Sequence, residues 1–158
     1  MSFRNKRVTD FESKHCSGCA LCVACCPKNC ITMQSDDLGY MRPVIDDSLC
    51  IDCGLCTKKC IIENPEALSH PILTAAAIRS DEEKLILSSS GGVFAAIAEQ
   101  LISKGWMVAG CIMDEQLTPR HVLTSNIQVV KQMYGSKYVQ SNTEGVYKDV
   151  AEVLQKGK

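Results

Sequence analysis

The fold is decided by a cysteine repeat: CSGCALCVACCP at residues 16–27, and CIDCGLCTKKCI at residues 50–61. Aligned without gaps, both copies read C-x2-C-x2-C-x3-C, and ten of the 11 cysteines lie between Cys16 and Cys60. Three thiolates at two-residue gaps come from one tight loop, while the fourth is carried away by the turn that follows. This spacing is typical of [4Fe-4S] clusters.

The repeat predicts two crossed ligand sets, because the fourth cysteine of each run binds the other cluster in two-cluster proteins. One predicted set is Cys16, Cys19, Cys22 and Cys60, and the other is Cys50, Cys53, Cys56 and Cys26. Small residues within the loops, Gly18, Ala20 and Gly54, let backbone N–H groups approach the cluster sulfurs.

Two further cysteines, Cys25 and Cys30, are surplus to these sets. We expect Cys30 to pack as a small apolar side chain beneath a cluster. Cys25 is beside Cys26 and could compete for iron. We expect Cys26 to be the ligand, because it has the better register with Cys60.

Zinc and disulfides are the alternative explanations for this cysteine density. A zinc ribbon takes four ligands from two C-x2-C pairs and leaves the third and fourth cysteine of each run unexplained. A disulfide framework is typical of secreted chains, and the first dozen residues contain no apolar signal segment. We therefore expect a reducing compartment, the cytoplasm.

Composition excludes other classes of function. The net charge of -1 and an aromatic content of 5% do not favour nucleic-acid binding. No apolar run approaches the roughly 18 residues that membrane insertion needs.

The predicted organisation is an α+β chain of two domains. We divide it into an N-terminal extension (1–13), a ferredoxin-like domain (14–63), a linker (64–71) and a small α/β domain (72–158). A hairpin is expected between the cysteine runs, with strands at 31–34 and 40–45. In the second half we expect strands at 72–79, 84–87, 106–113 and 122–124, and helices beginning near residues 93, 126 and 141, the last with a Ser141–Glu144 capping box.

A Ser/Gly tract, SSSGG at residues 88–92, precedes the first of these helices. Glycines at a helix N-terminus allow close backbone approach to a phosphate. A flexible turn that merely caps the helix explains the same residues, and this local pattern leaves both interpretations open.

Two resemblances add to these predictions. Residues 16–60 resemble a bacterial two-cluster ferredoxin, with Cys26-Pro27 matching its C-P ending and Cys60-Ile61 departing from it. The stretches SSSGGVFAAIA (88–98), GWMVAGCIMDE (105–115), HVL (121–123) and GSKYVQS (135–141) resemble the N-terminal module of the coenzyme F420 hydrogenase/dehydrogenase beta-subunit family. Members of that family carry a ferredoxin-like pair of clusters before this module.

The second resemblance implies a flavoprotein that passes electrons between iron–sulfur clusters and a hydride carrier through FAD. It implies flavin contacts at Ser89, Ser90, Gly91, Gly92, Ser136, Lys137 and Tyr138, and it identifies no catalytic residue. The family continues into a further C-terminal domain, so we expect this chain to be part of a longer protein.

The sequence is compatible with two functions. The chain is an oxidoreductase or a subunit of one, working with a redox partner protein or a hydride-carrying cofactor, and a hetero-oligomer is compatible with this role. Alternatively, it is a ferredoxin-type electron-transfer module whose second half docks a partner and binds no flavin.

Overall fold

The computed structural model describes residues 6–11, 15–65, 73 and 75–157. The chain divides into two compact units, Met1–Ser69 and His70–Lys158. Each unit combines short helices with a two-stranded antiparallel sheet, which confirms the α+β class. Among the described residues, no helix is long and apolar enough to cross a membrane.

The first unit is built around a β-hairpin flanked by the two cysteine loops. Its elements are a 3-10 helix (Val8–Asp10), α1 (Leu21–Ala24), β1 (Ile31–Ser35), β2 (Met41–Ile45) and α2 (Leu55–Lys58). Strands β1 and β2 pair from Ile31 opposite Ile45 to Ser35 opposite Met41, which confirms the predicted hairpin. Asp36 closes the turn, because its side chain accepts hydrogen bonds from the backbone N–H groups of Leu38 and Tyr40.

The sequence repeat is also a repeat of backbone conformation. Helices α1 and α2 have four residues each and occupy equivalent places in the two copies. The residue before each helix is left-handed, with φ 58° at Ala20 and 71° at Gly54. Two residues earlier, Gly18 and Asp52 are also left-handed, with φ 67° and 50°. The loop thus needs two left-handed positions, and each copy meets one with glycine and one with a residue for which that conformation costs energy.

Sulfur supplies most of the core of the first unit. Its buried cluster consists of Cys22, Cys30, Ile31 and Cys56. The larger side chains against it, such as Val8 and Met33, are only partly buried. A unit of this size therefore buries little aliphatic surface of its own.

The second unit consists of four helices and a hairpin. Its elements are α3 (Glu82–Ile86), α4 (Val93–Ser103), β3 (Val108–Met113), β4 (Pro119–Thr124), α5 (Ile127–Gln132) and α6 (Val146–Gln155). Helices α4 and α5 are in contact with β3, and α6 is in contact with β4. Its buried core consists of aliphatic side chains and one thioether: Ala98, Val108, Ile112, Val130 and Met133. The predicted amphipathic α4 and the helix near residue 126 are confirmed, and Asn126 caps α5 by accepting from the N–H of Gln128.

Two predicted strands of the second unit are wrong. The described part of 72–79 is irregular, and 84–87 falls within and just after helix α3. Asp81 explains the helix: its side chain accepts a hydrogen bond from the N–H of Lys84, and Glu82 and Glu83 occupy the first turn. Such an acidic start stabilises a helix that apolar periodicity alone does not reveal.

The predicted capping box of the last helix is also wrong. Helix α6 starts after Gly145, and no side chain caps it. Ser141 instead shares a hydrogen bond with Nδ1 of His121, at 2.9 Å. The two described strands of this unit run antiparallel, so the alternation expected of an α/β layer domain does not appear in its described residues.

The predicted N-terminal extension and the predicted linker are described only in part. Of the predicted N-terminal extension, residues 6–11 are described and pack on the first unit. The linker prediction, 64–71, lies mostly outside the described residues.

Candidate metal centres

A cavity of about 200 Å³ in the first unit is lined by four of the eight predicted ligands. These are Cys16, Cys19, Cys22 and Cys60, and the cavity wall contains no other cysteine of the described chain. The first three come from the loop before α1 and from α1 itself, and Cys60 follows α2. The fold thus brings the fourth cysteine of the second copy to the first three of the first copy.

A second, narrower cavity of about 20 Å³ is lined by the other predicted set. Its wall contains Cys26, Cys50, Cys53 and Cys56, together with Cys30. Here the fit to a cluster rests on which cysteines are gathered and not on the size of the cavity. The two walls share no cysteine.

Clusters and single ions need different arrangements of their ligands. Within the part of the chain that the structure describes, no three His, Cys, Asp or Glu side chains converge on a single-ion site. The ligands of a cubane each bind a different iron, so they encircle a volume, whereas the four ligands of zinc surround one point.

Cys26 and Cys25 differ in their surroundings. Burial raises the pKa of Cys26, but the backbone N–H groups of the following turn and the Cys30 thiol outweigh it, so the net pKa is lowered. Burial raises the pKa of Cys25, whose thiol points to the carbonyl of Cys22 and lines neither cavity. Because iron binds the thiolate, these environments favour Cys26 as the ligand.

Burial is the main influence on the pKa values of Cys22 and Cys30. It raises the pKa of Cys22 to about 12, and it raises that of Cys30 to about 12, with further contributions from neighbouring thiols. Cys30 is 6% exposed, and its sulfur lies 3.4 Å from that of Cys26. The N–H of Gly18 donates to the sulfur of Cys16 at 3.4 Å, the type of contact that the small loop residues predict.

The second unit contains a larger cavity of about 390 Å³ beside the N-terminus of α4. Four of the seven residues predicted to bind flavin line it: Ser89, Gly92, Ser136 and Lys137. Ser90, Gly91 and Tyr138 are not in its wall, and Tyr138 is 94% exposed. The Ser/Gly tract and the stretch at 135–141 therefore do meet at one cavity, although they are distant in sequence.

The two glycines of the tract have structural roles of their own. A Cβ on Gly91 would lie 2.5 Å from the carbonyl oxygen of Ala77, and Gly91 accepts a hydrogen bond from the N–H of Arg79 at 2.8 Å. Gly92 is left-handed, with φ 68°, and a Cβ there would lie 3.2 Å from Cβ of Arg79. A bulky substitution at either glycine would strain the fold itself, so such variants cannot report on a ligand.

Lys137, which the resemblance predicts as a flavin contact, caps the C-terminal end of a helix. Its ammonium group donates to the carbonyl oxygens of Gln132, Tyr134 and Gly135 at 2.9, 3.0 and 3.1 Å. All three of its N–H donors are thus directed at the C-terminal end of α5. Its direct role is to fix the loop that carries Ser136.

Sequence reasoning did not identify several residues of this cavity. Cys111 and His121 face each other across the β3–β4 pair, and His121 bonds to Ser141. All three line the cavity, together with Met133 and Tyr134. Only the alternation of β3 and β4 could have indicated that Cys111 and His121 share a face.

Comparison with known proteins supports the interpretation of the first unit. Residues 15–63 match the family model of the 4Fe-4S dicluster domain. This match confirms iron–sulfur clusters as the predicted metal chemistry and supports an electron-transfer role. The resemblance to the F420 family stays a prediction.

One similar protein is an uncharacterized protein of Methanocaldococcus jannaschii. It is 27% identical over 172 aligned residues, which cover 87% of this chain and 46% of the relative. The chain thus spans about half the length of this relative.

Proposed function

We propose that this chain is an electron-transfer protein in which two [4Fe-4S] clusters are held by crossed ligand sets. The observation that carries the proposal is the separation of the eight cysteines between two cavity walls, with Cys60 among the first three and Cys26 among the second three. The clusters, when bound, accept and release single electrons. The chain holds them, screens them from water and donates N–H groups to their sulfurs.

The crossed assignment can be tested by pairs of substitutions. Two ligands of the same cluster, Cys26→Ala with Cys50→Ala, should reduce the iron content from about eight to about four per chain. Two ligands of different clusters, Cys26→Ala with Cys16→Ala, should remove nearly all of it. Iron and sulfide analysis of anaerobically reconstituted protein provides the measurement.

An uncrossed arrangement predicts the reverse order of these two double variants. The matched control is Cys25→Ala, which should keep about eight iron. If Cys25→Ala loses as much iron as Cys26→Ala, the assignment of Cys26 is wrong.

The second part of the proposal is that the cavity of the second unit binds a flavin, so that the chain relays electrons between flavin and clusters. A volume of about 390 Å³ lies in the range of small-molecule sites. Its wall combines apolar side chains, Phe94 and Met133, with the hydroxyls of Ser89 and Ser136 and the N-terminal end of α4. A flavin needs flat apolar walls for its ring and hydrogen-bond donors for its phosphates.

In this proposal the phosphates contact hydroxyl and backbone N–H groups, since Lys137 already donates to three carbonyls. Lys137 contributes by holding the loop that presents Ser136. The relation to F420-dependent hydrogenases and dehydrogenases, and to a hydride-carrying partner, belongs to this part of the proposal and rests on the sequence resemblance.

Neighbouring serines give a matched test of the flavin site. Ser89→Ala removes a hydroxyl from the cavity wall, whereas Ser90→Ala removes one that is outside it. Titration with FAD, followed by flavin fluorescence, should show about tenfold weaker binding for Ser89→Ala, the loss of one hydrogen bond to a charged group, and unchanged binding for Ser90→Ala. If the unaltered protein does not bind FAD, the second unit is a docking domain and the chain is a plain electron-transfer module.

A further inference from the structure

Each cysteine cavity of the first unit has an arginine in its wall, and neither arginine belongs to the cysteine repeat. Arg42 lines the first cavity and Arg7 lines the second. Arg7 precedes residues 15–63, which match the dicluster domain, so the motif itself does not supply it. Lys28 also lines the second cavity, but it is exposed.

Arg7 is held firmly although it comes from the N-terminal segment. Its side chain is 12% exposed, and its guanidinium group donates to the carboxylate of Asp47. Nε lies 3.6 Å from Oδ1 of Asp52; it is buried and makes no hydrogen bond within the described residues. The hydrogen bond to Asp47 raises the pKa of Arg7, burial opposes it, and the nearby Cys50 thiol adds to the increase.

The neighbouring backbone holds the same segment in place. The hydroxyl of Thr57, in α2, donates to the carbonyl of Lys6 at 2.7 Å. Val8 packs against the sulfur-rich core. The position of Arg7 is therefore fixed by contacts on both sides of it.

Arg42 occupies a comparable place at the first cavity. Its side chain is 18% exposed, and Nε donates to Oδ2 of Asp36 at 3.0 Å. The guanidinium group also donates to the carbonyl of Cys16. Both arginines thus combine low exposure, a carboxylate that fixes them, and a place in the wall of a cysteine cavity.

We propose that Arg7 and Arg42 each hold a fixed positive charge beside one cluster and set the reduction potentials of the two clusters separately. This inference rests on the proposed ligand sets. Reduction adds a negative charge to a cluster, so a nearby cation stabilises the reduced form more than the oxidised one. Low exposure limits the screening of that interaction by water and salt.

The two arginines should therefore act on different clusters. Arg7→Gln should lower one midpoint potential by about 59 mV, which corresponds to a roughly tenfold change in the equilibrium constant of a one-electron reduction. Arg42→Gln should lower the other. If the two couples coincide in the unaltered protein, each variant should split them.

The measurement is an anaerobic redox titration of the full chain, followed by electron paramagnetic resonance, with iron analysis of every sample. Arg7→Lys keeps the charge and should retain the midpoint. Lys58→Gln removes an exposed charge that lines neither cavity and should leave both midpoints unchanged.

Unchanged midpoints in both arginine variants at full iron content would overturn the proposal, as would a shift of the same midpoint by both. If Arg7→Gln loses iron, Asp47→Asn replaces it. That variant leaves Arg7 less neutralised and should raise the midpoint that Arg42→Gln does not move, and an unmoved midpoint would refute the role of Arg7. An iron content well below eight in the unaltered protein refutes the ligand sets instead.

Discussion

The two units of this chain bury different kinds of side chain. Three of the four residues in the buried cluster of the first unit are cysteines, whereas the buried cluster of the second unit contains four aliphatic residues and Met133. The second unit has a fully buried side chain in Val130, at 0% exposure, and no described residue of the first unit is buried to that degree. We infer that the first unit depends on what its sulfur atoms bind, and the second unit on its own apolar packing.

The polar interactions of the two units also differ: those of the second unit join its helices, and those of the first unit lie at the cysteine cavities. In the second unit, the carboxylate of Glu99 accepts from Arg79 at 2.6 Å, from the hydroxyl of Tyr134 at 2.9 Å and from Lys84 at 3.3 Å. This network connects α3 and the segment before it to α4 and the end of α5. In the first unit, Arg7 connects the N-terminal segment to the wall of one cysteine cavity, and Arg42 connects strand β2 to the wall of the other.

Removal of iron should give the largest contrast between the units. Binding free energy of the clusters is folding free energy in the first unit, because its aliphatic core is small. Treatment of the full chain with a chelator should unfold residues 14–62, whereas the helices of the second unit persist. Amide hydrogen exchange measured by mass spectrometry resolves the two units.

The hairpin β1–β2 provides the critical readout of that experiment. Its amides should lose their protection together with the iron, while those of α4 keep theirs. A cluster-free protein with a protected hairpin would show that the first unit folds on its own side chains.

Glu99→Gln should give an intermediate effect that is confined to the second unit. The variant weakens the charged hydrogen bonds to Arg79, so we expect a loss of about 2 kcal/mol in the free energy of unfolding. Denaturant unfolding followed by the fluorescence of Trp106, the single tryptophan, measures it. The iron content should stay unchanged, and Glu152→Gln, at an exposed position of α6, is the control.

The difference in stability between the unaltered protein and Glu99→Gln should depend on pH. The Arg79 guanidinium lowers the pKa of Glu99 from 4.5 to about 2. Burial opposes this decrease, and hydrogen bonds from Tyr134 and Lys84 add to it. The advantage of Glu99 over Gln should therefore be complete above pH 4.5 and disappear as the pH falls through about 2. An advantage that does not change over this range would contradict the network.

The smallest expected effects come from the left-handed positions of the cysteine loops. Ala20 and Gly54 occupy equivalent places with positive φ. Ala20→Gly should change the free energy of unfolding of the iron-loaded protein by less than about 0.5 kcal/mol, because relief of the left-handed strain is offset by chain entropy and by loss of the methyl group of a residue that is 4% exposed. Gly54→Ala should destabilise it by about 1 kcal/mol.

Thermal unfolding of the iron-loaded protein, with loss of cluster absorbance as the signal, compares these two variants. Because the first copy already holds alanine at this place, both should assemble clusters. Failure of Gly54→Ala to assemble them would show that the two copies are not equivalent.

The spacing of residues along the chain was enough to predict the loops and the hairpin of the first unit. The two-residue gaps between cysteines, the acidic turn at Asp36 and the alternation around it predict the loops and the hairpin from neighbours in the chain. The same kind of information predicted α4. It was misleading at 84–87, where apolar residues suggested a strand while the acidic residues before them begin a helix.

Contacts between residues that are distant in sequence could be read only from the folded chain. Arg7 reaches Asp47 across 40 positions, Arg42 reaches Cys16 across 26, and His121 meets Ser141 across 20. The identity of each residue is visible in the sequence, but the path of the chain determines which charges lie beside which cysteines. Spacing predicts the ligands because a tight loop holds its residues at short range, whereas the groups that surround a site meet only when separate segments pack together.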